Sequence, residues 1–216
     1  MSAKWSAPSS AGLRPSRAVS SSRQRHVWRD FLVHTLARLR VTLGFLTGGL
    51  VLLLAQPSGR SLAIGLGIAA IGEAIRIWAS GHLNKAREVT TSGPYRWVRH
   101  PLYVGSTVMG AGLAIACAST LAALLIALYL AATLTAAIKN EEAYLRRTFG
   151  EQYDLYREGQ LAKRAAIARR PPKRFRLAQA IANREHRAVL GFGVVVLLLI
   201  LKATYNGAFW RAAGTQ

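Results

Sequence analysis

The sequence predicts an all-α fold, a polytopic membrane bundle of about five transmembrane helices. Hydrophobic residues make up 51% of the 216-residue chain, although its formal net charge is +20. The two properties are segregated, because residues 101–138 contain no Asp, Glu, Lys, Arg or His. A single helix over that run would be about 57 Å long, whereas a hydrocarbon core is only about 30 Å thick. The run therefore predicts two consecutive spans.

Apolar segments and the turns between them define the individual helices. The first segment is followed by the turn cluster 56–59, and small polar residues at 118–120 divide the long uncharged run. After the last segment come Tyr205, Phe209 and Trp210, a pattern typical of an aromatic belt at a membrane interface. Five spans are predicted, near 40–56, 62–80, 101–118, 120–138 and 188–206.

The basic residues predict how these spans are oriented. Residues 1–40 hold eight Lys/Arg, residues 81–100 hold four and residues 139–187 hold thirteen. The positive-inside rule places all three regions on the cytoplasmic side, which predicts a bacterial inner-membrane protein with a cytoplasmic N-terminus. Because this charge lies beside apolar spans, it indicates attraction to membrane lipids rather than binding to nucleic acid.

Composition also divides the chain into regions. The Ser- and Arg-rich start lacks the apolar stretch of a secretory signal, and a transit peptide is the alternative to a disordered tail. Cys117 is the single cysteine, which excludes a disulfide scaffold. The predicted regions are a disordered basic tail at 1–25, a membrane core at 26–160, a basic cytoplasmic segment at 161–187, and a C-terminal helix and tail at 188–216.

Two ionisable residues lie within the second predicted span. Glu73 and Arg76 are three residues apart, so they share one helical face and can pair. Ionisable groups inside a membrane are costly and indicate a functional site. The alternatives are a structural pair that fixes helix packing, or an arginine close enough to the interface to extend toward water.

A basic motif precedes the third span. Pro101 suits the first position of a helix, which puts His100 at the helix N-terminus. With Arg96 and Arg99, the free N–H groups there form a corner that favours an anion, and Gly105 permits close backbone approach. The alternative is a basic and aromatic anchor at the interface.

An acidic pair follows the fourth span. Glu141 and Glu142 are adjacent near the C-terminal end of a helix, where both like charge and the helix dipole disfavour them. They require a cation, which Arg99, Arg146 or a positively charged ligand can supply. The alternative is a solvated charged helix, which Gly150 can terminate.

Together these motifs resemble the isoprenylcysteine carboxyl methyltransferase and phospholipid methyltransferase superfamily of integral-membrane enzymes. The resemblance covers about residues 70–157 and departs from the family pattern after Tyr156, where the family often continues with Val-Pro. The motifs that carry it are Gly93-Pro94-Tyr95-Arg96, Arg99-His100-Pro101-Leu102-Tyr103-Val104-Gly105, Glu141-Glu142, and Phe149-Gly150 followed by Tyr153 and Tyr156.

The resemblance implies a site for S-adenosylmethionine at the cytoplasmic membrane surface, with no metal. It implies that the methyl acceptor is lipophilic and enters from the bilayer. Arg76, which begins an Arg-x-Trp-Ala pattern typical of the family, and Arg99 are the residues expected in catalysis. The residues expected at the cofactor are His100, Tyr103, Gly105, Glu141 and Glu142.

The predicted activity is carboxyl O-methylation of an isoprenylcysteine-like substrate. The alternatives are phospholipid N-methylation, an NADPH-dependent reductase of the sterol type, and a non-enzymatic membrane anchor or lipid-binding protein. Membrane reductases have a similar Arg-His-Pro-like motif, but their downstream segment is typically rich in Asp, Arg and Lys. The pair Glu141-Glu142 stands at that place here and favours methyl transfer.

Overall fold

A computed structural model describes residues 42–84, 89–159 and 174–206 of the chain. These residues form helices and turns, with no strand among them, which confirms the all-α class. The predicted interfacial residues Phe209 and Trp210, and the predicted tail at 1–25, lie outside the described residues. The helices are α1 Thr42–Leu54, α2 Gly59–His82, α3 Pro101–Cys117, α4 Thr120–Phe149, α5 Glu151–Arg157, α6 Leu177–Ala182 and α7 Glu185–Tyr205, with a 3₁₀ turn at Gly93–Arg96.

Five apolar helices lie where the sequence predicts spans, and α2, α4 and α7 are long and apolar enough to cross a membrane. The α3 helix is shorter, because its 17 residues extend only about 26 Å. Two helices extend beyond the predicted spans. The α4 helix continues past the span end near 138 to Phe149, and α7 begins at Glu185, three residues before the span predicted from 188.

Side chains on the outside of the bundle are large and apolar. Leu121, Leu124 and Leu128 on α4 are exposed, whereas Ala122 and Ala136 are the buried residues of that helix. A soluble domain would place the leucines inside. This arrangement suits a helix that faces lipid on one side and packs through small residues on the other, and it confirms a membrane helix bundle.

Local sequence accounts for the helix ends. Ser58 and Ser61 form a capping box at the start of α2. Between α3 and α4, Ala118 adopts a left-handed conformation with φ 47°, and Ser119 caps α4 by accepting a hydrogen bond from the Ala122 N–H. This turn lies at the predicted break in the uncharged run. Gly150, with φ 48°, ends α4 as predicted.

Glycines bring α2 and α3 into direct backbone contact. Gly65 and Gly72 on α2 face Gly112 and Gly105 on α3, so the two antiparallel helices meet at a seven-residue spacing. A Cβ atom at Gly65 would lie 2.6 Å from the Gly112 carbonyl oxygen, and one at Gly72 would lie 2.7 Å from that of Gly105. Only glycine permits this approach, which is typical of packed membrane helices.

The C-terminal helices fasten onto this pair. Asn183, between α6 and α7, donates hydrogen bonds to the backbone carbonyls of Ser80 and Leu83 at 2.9 and 2.8 Å. Near the other end of α7, Lys202 Nζ donates to the carbonyls of Leu52 and Leu53 on α1. These contacts fix α7 at both ends, and its first turn lies beside the end of α2 that carries Arg76.

Candidate functional site

The His100 side chain meets the acidic pair at the end of the bundle where α2 finishes, α3 starts and α4 leaves the apolar region. His100 Nε2 lies 3.2 Å from Glu142 Oε1, and Nδ1 lies 4.0 Å from Glu141 Oε2. The imidazole is largely enclosed, with 16% of its side chain exposed, while the two carboxylates are each more than a third exposed. The structure therefore brings together two motifs that lie about forty residues apart in sequence.

Neither arginine that the sequence offers as a partner for the acidic pair contacts it within the described ranges. Arg146 Nη2 lies 3.1 Å from Asp154 Oδ1, which holds α5 against the end of α4. Arg99 makes no salt bridge within residues 42–84, 89–159 and 174–206. Within these ranges the acidic pair therefore meets His100 and neither of the two arginines.

Tyrosines close one side of the site. Tyr156 on α5 donates its hydroxyl hydrogen bond to the Tyr95 carbonyl oxygen at 3.0 Å, which ties α5 to the 3₁₀ turn. Burial raises the pKa of Tyr156 to about 12. Burial, with the nearby charge of Glu141 as a smaller cause, also raises the pKa of Tyr95. Both phenols therefore stay protonated at neutral pH, so each hydroxyl can donate a hydrogen bond.

A cavity of about 700 Å³, here called the polar cavity, opens beside these tyrosines. It reaches from Tyr103 at the start of α3 to the first turn of α7, and Tyr95 and Tyr156 contribute to its wall. Both signs of charge are present, with the arginines in excess, so the cavity suits a ligand that carries anionic and cationic groups. Its charged lining residues are Arg76, Arg99, Glu141, Arg184, Glu185 and Arg187.

A second cavity of about 770 Å³, here called the apolar groove, runs between α3 and α4. It begins at Arg99 and His100 and continues along small and aliphatic residues such as Ala111, Ala127 and Leu134. Arg99 and Tyr103 line both the groove and the polar cavity. An apolar chain in the groove would therefore present its end group beside a ligand in the polar cavity.

Arg76 lies at the centre of an ionic cluster in the described bundle. Its Nε is 3.4 Å from Glu73 Oε2, which agrees with the predicted pair, and its Nη2 is 2.7 Å from Glu185 Oε1. Nη1 donates a hydrogen bond to Ser106 Oγ on α3. Sequence reasoning missed Glu185, although it is the only acidic residue among the basic residues 161–187 and precedes an apolar run.

Gly105, which the resemblance places at the cofactor, packs against α2. A Cβ atom there would lie 2.7 Å from both the Gly72 carbonyl oxygen and the Cγ atom of Arg76. Gly105 lines neither the polar cavity nor the apolar groove. Its position is explained by helix packing, which lets α2 present Arg76 at the wall of the polar cavity.

Two features define the class of protein. The helices form a membrane bundle, and one end of it joins a charged cavity to an apolar groove. Among the described residues, no group of three or more His, Cys, Asp or Glu is placed to hold a metal ion. The chain is thus an integral-membrane protein whose site can bring a polar ligand and a lipophilic one together.

Residues 64–152 match the family model described as phospholipid methyltransferase. The chain is 37% identical over 75 residues to a protein-S-isoprenylcysteine O-methyltransferase of Schizosaccharomyces pombe, covering 35% of this chain and 32% of that protein. These matches bear out the resemblance of the core of the chain to the isoprenylcysteine carboxyl methyltransferase and phospholipid methyltransferase superfamily. The sequence motifs are all inside or directly beside the matched residues, whereas α6 and α7 are outside them.

Two further relatives are described as metal-resistance proteins. The nickel-cobalt-cadmium resistance protein NccN of Alcaligenes xylosoxydans xylosoxydans is 35% identical over 96 residues, 44% of each chain. The cobalt-zinc-cadmium resistance protein CzcN of Cupriavidus metallidurans is 32% identical over 146 residues, 65% of this chain and 64% of the relative. The chain thus spans from about a third to just under two thirds of the length of these three relatives. No solved structure matches the chain.

Proposed function

We propose that the protein is an S-adenosylmethionine-dependent methyltransferase that modifies a lipophilic acceptor, with carboxyl O-methylation of an isoprenylcysteine-like substrate as its activity. The observation that carries this proposal is the junction of the polar cavity and the apolar groove at Arg99 and Tyr103. A methyl donor and a lipid-soluble acceptor in these two spaces would meet there. Holding two reactants in line is the main requirement of methyl transfer.

The residues of the polar cavity fit the chemistry of the donor. S-adenosylmethionine, when bound, supplies a methyl group on a sulfonium whose departure leaves a neutral thioether. Glu141 lines the polar cavity and Glu142 lies beside it, so a carboxylate is available for the cationic groups or ribose hydroxyls of the donor. Arg99 and the N-terminal end of α3 favour its carboxylate. His100 holds Glu142 in place from the start of α3.

The apolar groove and Arg99 support a lipophilic carboxylate as acceptor. A prenyl or acyl chain suits the small and aliphatic residues between α3 and α4. A carboxylate is already nucleophilic at neutral pH, and an arginine can orient it through two parallel hydrogen bonds. Phospholipid N-methylation is the second candidate, because Glu141 could accept the proton that an amine must lose.

We also propose that the site lies at the cytoplasmic surface of a bacterial inner membrane. Among the described residues of the basic regions 81–100 and 139–187, Arg99, Arg184 and Arg187 line the polar cavity, at the end of the bundle that contains His100 and Glu142. That distribution follows the positive-inside rule. Membrane lipids are the partners that this location supplies, both as surroundings of the bundle and as the route by which the acceptor enters.

The test is methyl transfer in membranes that contain the full chain. Membranes incubated with S-adenosylmethionine labelled in its methyl group are separated into protein, phospholipid and free lipid, and each fraction is treated with mild base. The proposal expects label in a base-labile ester. Base-stable label in phospholipid headgroups would overturn carboxyl methylation and favour phospholipid N-methylation as the activity.

A cofactor comparison separates the methyltransferase from the reductase alternative. The purified chain is heated with S-adenosylmethionine and, in a parallel sample, with NADPH. A ligand that binds the native state raises the unfolding temperature. We expect stabilisation by the methyl donor; stabilisation by NADPH alone would overturn the proposed function.

A further inference from the structure

The first residue of α7 completes the ionic cluster around Arg76, although it is remote in sequence. Glu185 lies outside the family-matched residues 64–152, and its Oε1 atom is 2.7 Å from Arg76 Nη2. The Glu185 side chain is 9% exposed and the Arg76 side chain 19% exposed. This contact is shorter than the one between Arg76 and Glu73 on the same helix, which is 3.4 Å.

Three helices hold the guanidinium from different directions. Glu73 on α2 faces Nε, Ser106 on α3 accepts from Nη1, and Glu185 on α7 faces Nη2. A guanidinium has more N–H donors than these three partners use, because each terminal nitrogen carries two. Since Arg76 also lines the polar cavity, its remaining donors are available to a ligand there.

Such a cluster is poorly explained by stability alone. Removing charges from water costs more than a buried ion pair usually returns, so apolar residues of similar size would hold the helices together at least as well. What the cluster does provide is a fixed orientation. A long and otherwise flexible arginine is held at the wall of the polar cavity, and catalytic side chains require such a fixed position.

The corner between α6 and α7 is built to place Glu185. Arg184 adopts a left-handed backbone conformation with φ 63°, which interrupts the helical path immediately before α7. The preceding segment is secured to the end of α2 by Gln179 Nε2, which donates to the Leu83 carbonyl oxygen at 3.0 Å. The Glu185 carboxylate that contacts Arg76 on α2 therefore belongs to the C-terminal segment and not to the family-matched residues 64–152.

We propose that Glu185 is a positioning residue that holds Arg76 at the wall of the polar cavity, so that α7 is an integral part of the catalytic unit. This inference rests on the proposed methyl transfer and on a role for Arg76 in it. Glu185 acts through Arg76, whereas Glu73 and Ser106 hold the other sides of the guanidinium.

The test replaces Glu185 in the full chain, purified in detergent and assayed with labelled S-adenosylmethionine. Glu185→Gln keeps the shape of the side chain and removes its charge. We expect kcat to fall about 10- to 100-fold, the cost of a displaced catalytic group, while KM for the methyl donor changes less than threefold. Glu185→Asp keeps the charge and should recover at least part of the lost kcat.

A double variant shows whether Glu185 acts through the arginine. In an Arg76→Ala background, Glu185→Gln should lower kcat no further, because residues that act as a unit are not additive. The control is Lys202→Met, which removes the contacts between the far end of α7 and α1. It should lower the unfolding temperature while leaving kcat per folded molecule unchanged.

The outcomes separate this inference from the proposed function. Wild-type protein that transfers no methyl group would overturn both. Active wild-type protein with an unchanged kcat in Glu185→Gln would overturn the positioning role alone. A loss of kcat that adds fully to that of Arg76→Ala, or that only follows a loss of thermal stability as in Lys202→Met, would show that Glu185 is a packing residue.

Discussion

The two ends of the helical bundle satisfy their polar groups in different ways. At the end formed by residues 55–62 and 116–122, here called the closed end, backbone and short side chains bond to each other. The Gln56 N–H donates to the Cys117 carbonyl oxygen at 2.8 Å, and Ser61 Oγ donates to that of Ala116 at 3.2 Å. A buried apolar cluster that includes Leu62 and Leu199 packs beneath these bonds.

The opposite end, which contains the polar cavity, uses long charged side chains from α2, α4 and α7 and from the residues just before α3 and α7. Its groups are incompletely paired within the described residues, since Arg99, Arg184 and Arg187 have no carboxylate within salt-bridge distance there. The comparison shows that the two ends of the bundle have different roles. The closed end holds the helices in register, and the cavity end leaves charges available, so changes at the two ends should affect different measurements.

The largest effect is expected for Glu142→Ala. This change removes the carboxylate 3.2 Å from His100 Nε2, leaves the imidazole without that partner and takes negative charge from beside the proposed donor site. We expect binding of S-adenosylmethionine to be lost, as measured by equilibrium dialysis of the purified chain. The matched control is Glu151→Ala, an exposed acid at the start of α5. Unchanged binding of S-adenosylmethionine in Glu142→Ala would contradict the proposal that the donor binds at the cavity end.

His100→Ala should have an intermediate effect. The imidazole orients the acidic pair and lies at the N-terminus of α3, so its removal costs a charge-assisted hydrogen bond. Donor affinity should weaken by about 1–3 kcal/mol, roughly 5- to 150-fold, in the same dialysis experiment. Wild-type affinity in this variant would show that His100 only anchors the helix.

The smallest effect is expected at the closed end. Ser58→Ala removes the side-chain cap at the start of α2 and should lower the free energy of unfolding by about 1 kcal/mol. Donor affinity and methyl transfer should stay at wild-type values, because this cap lies at the far end of the helix from Arg76. A loss of donor binding comparable with that of His100→Ala would show that the two ends are not independent.

The sequence predicted much of the cavity end because its residues carry strong local signals. The proline after His100 and the glycine at 150 mark helix ends, and the adjacent glutamates are unfavourable unless something cationic meets them. The partner within the described residues is His100 and not Arg99 or Arg146. Local pattern predicted a pairing of motifs, but it could not choose among several cations of similar reach.

By itself the sequence determined that this protein is a membrane helix bundle, because a soluble domain of this size has no core large enough to bury an uncharged run of that length. It also determined which motifs resemble a methyltransferase. Only the tertiary structure decided that Gly105 serves helix packing and that Glu185, 109 residues from Arg76, joins the same ionic cluster. The physical reason is that periodicity and capping act over a few residues, whereas contacts between helices depend on how backbones approach. That approach is set by glycines at 65, 72, 105 and 112 together, not by any one of them.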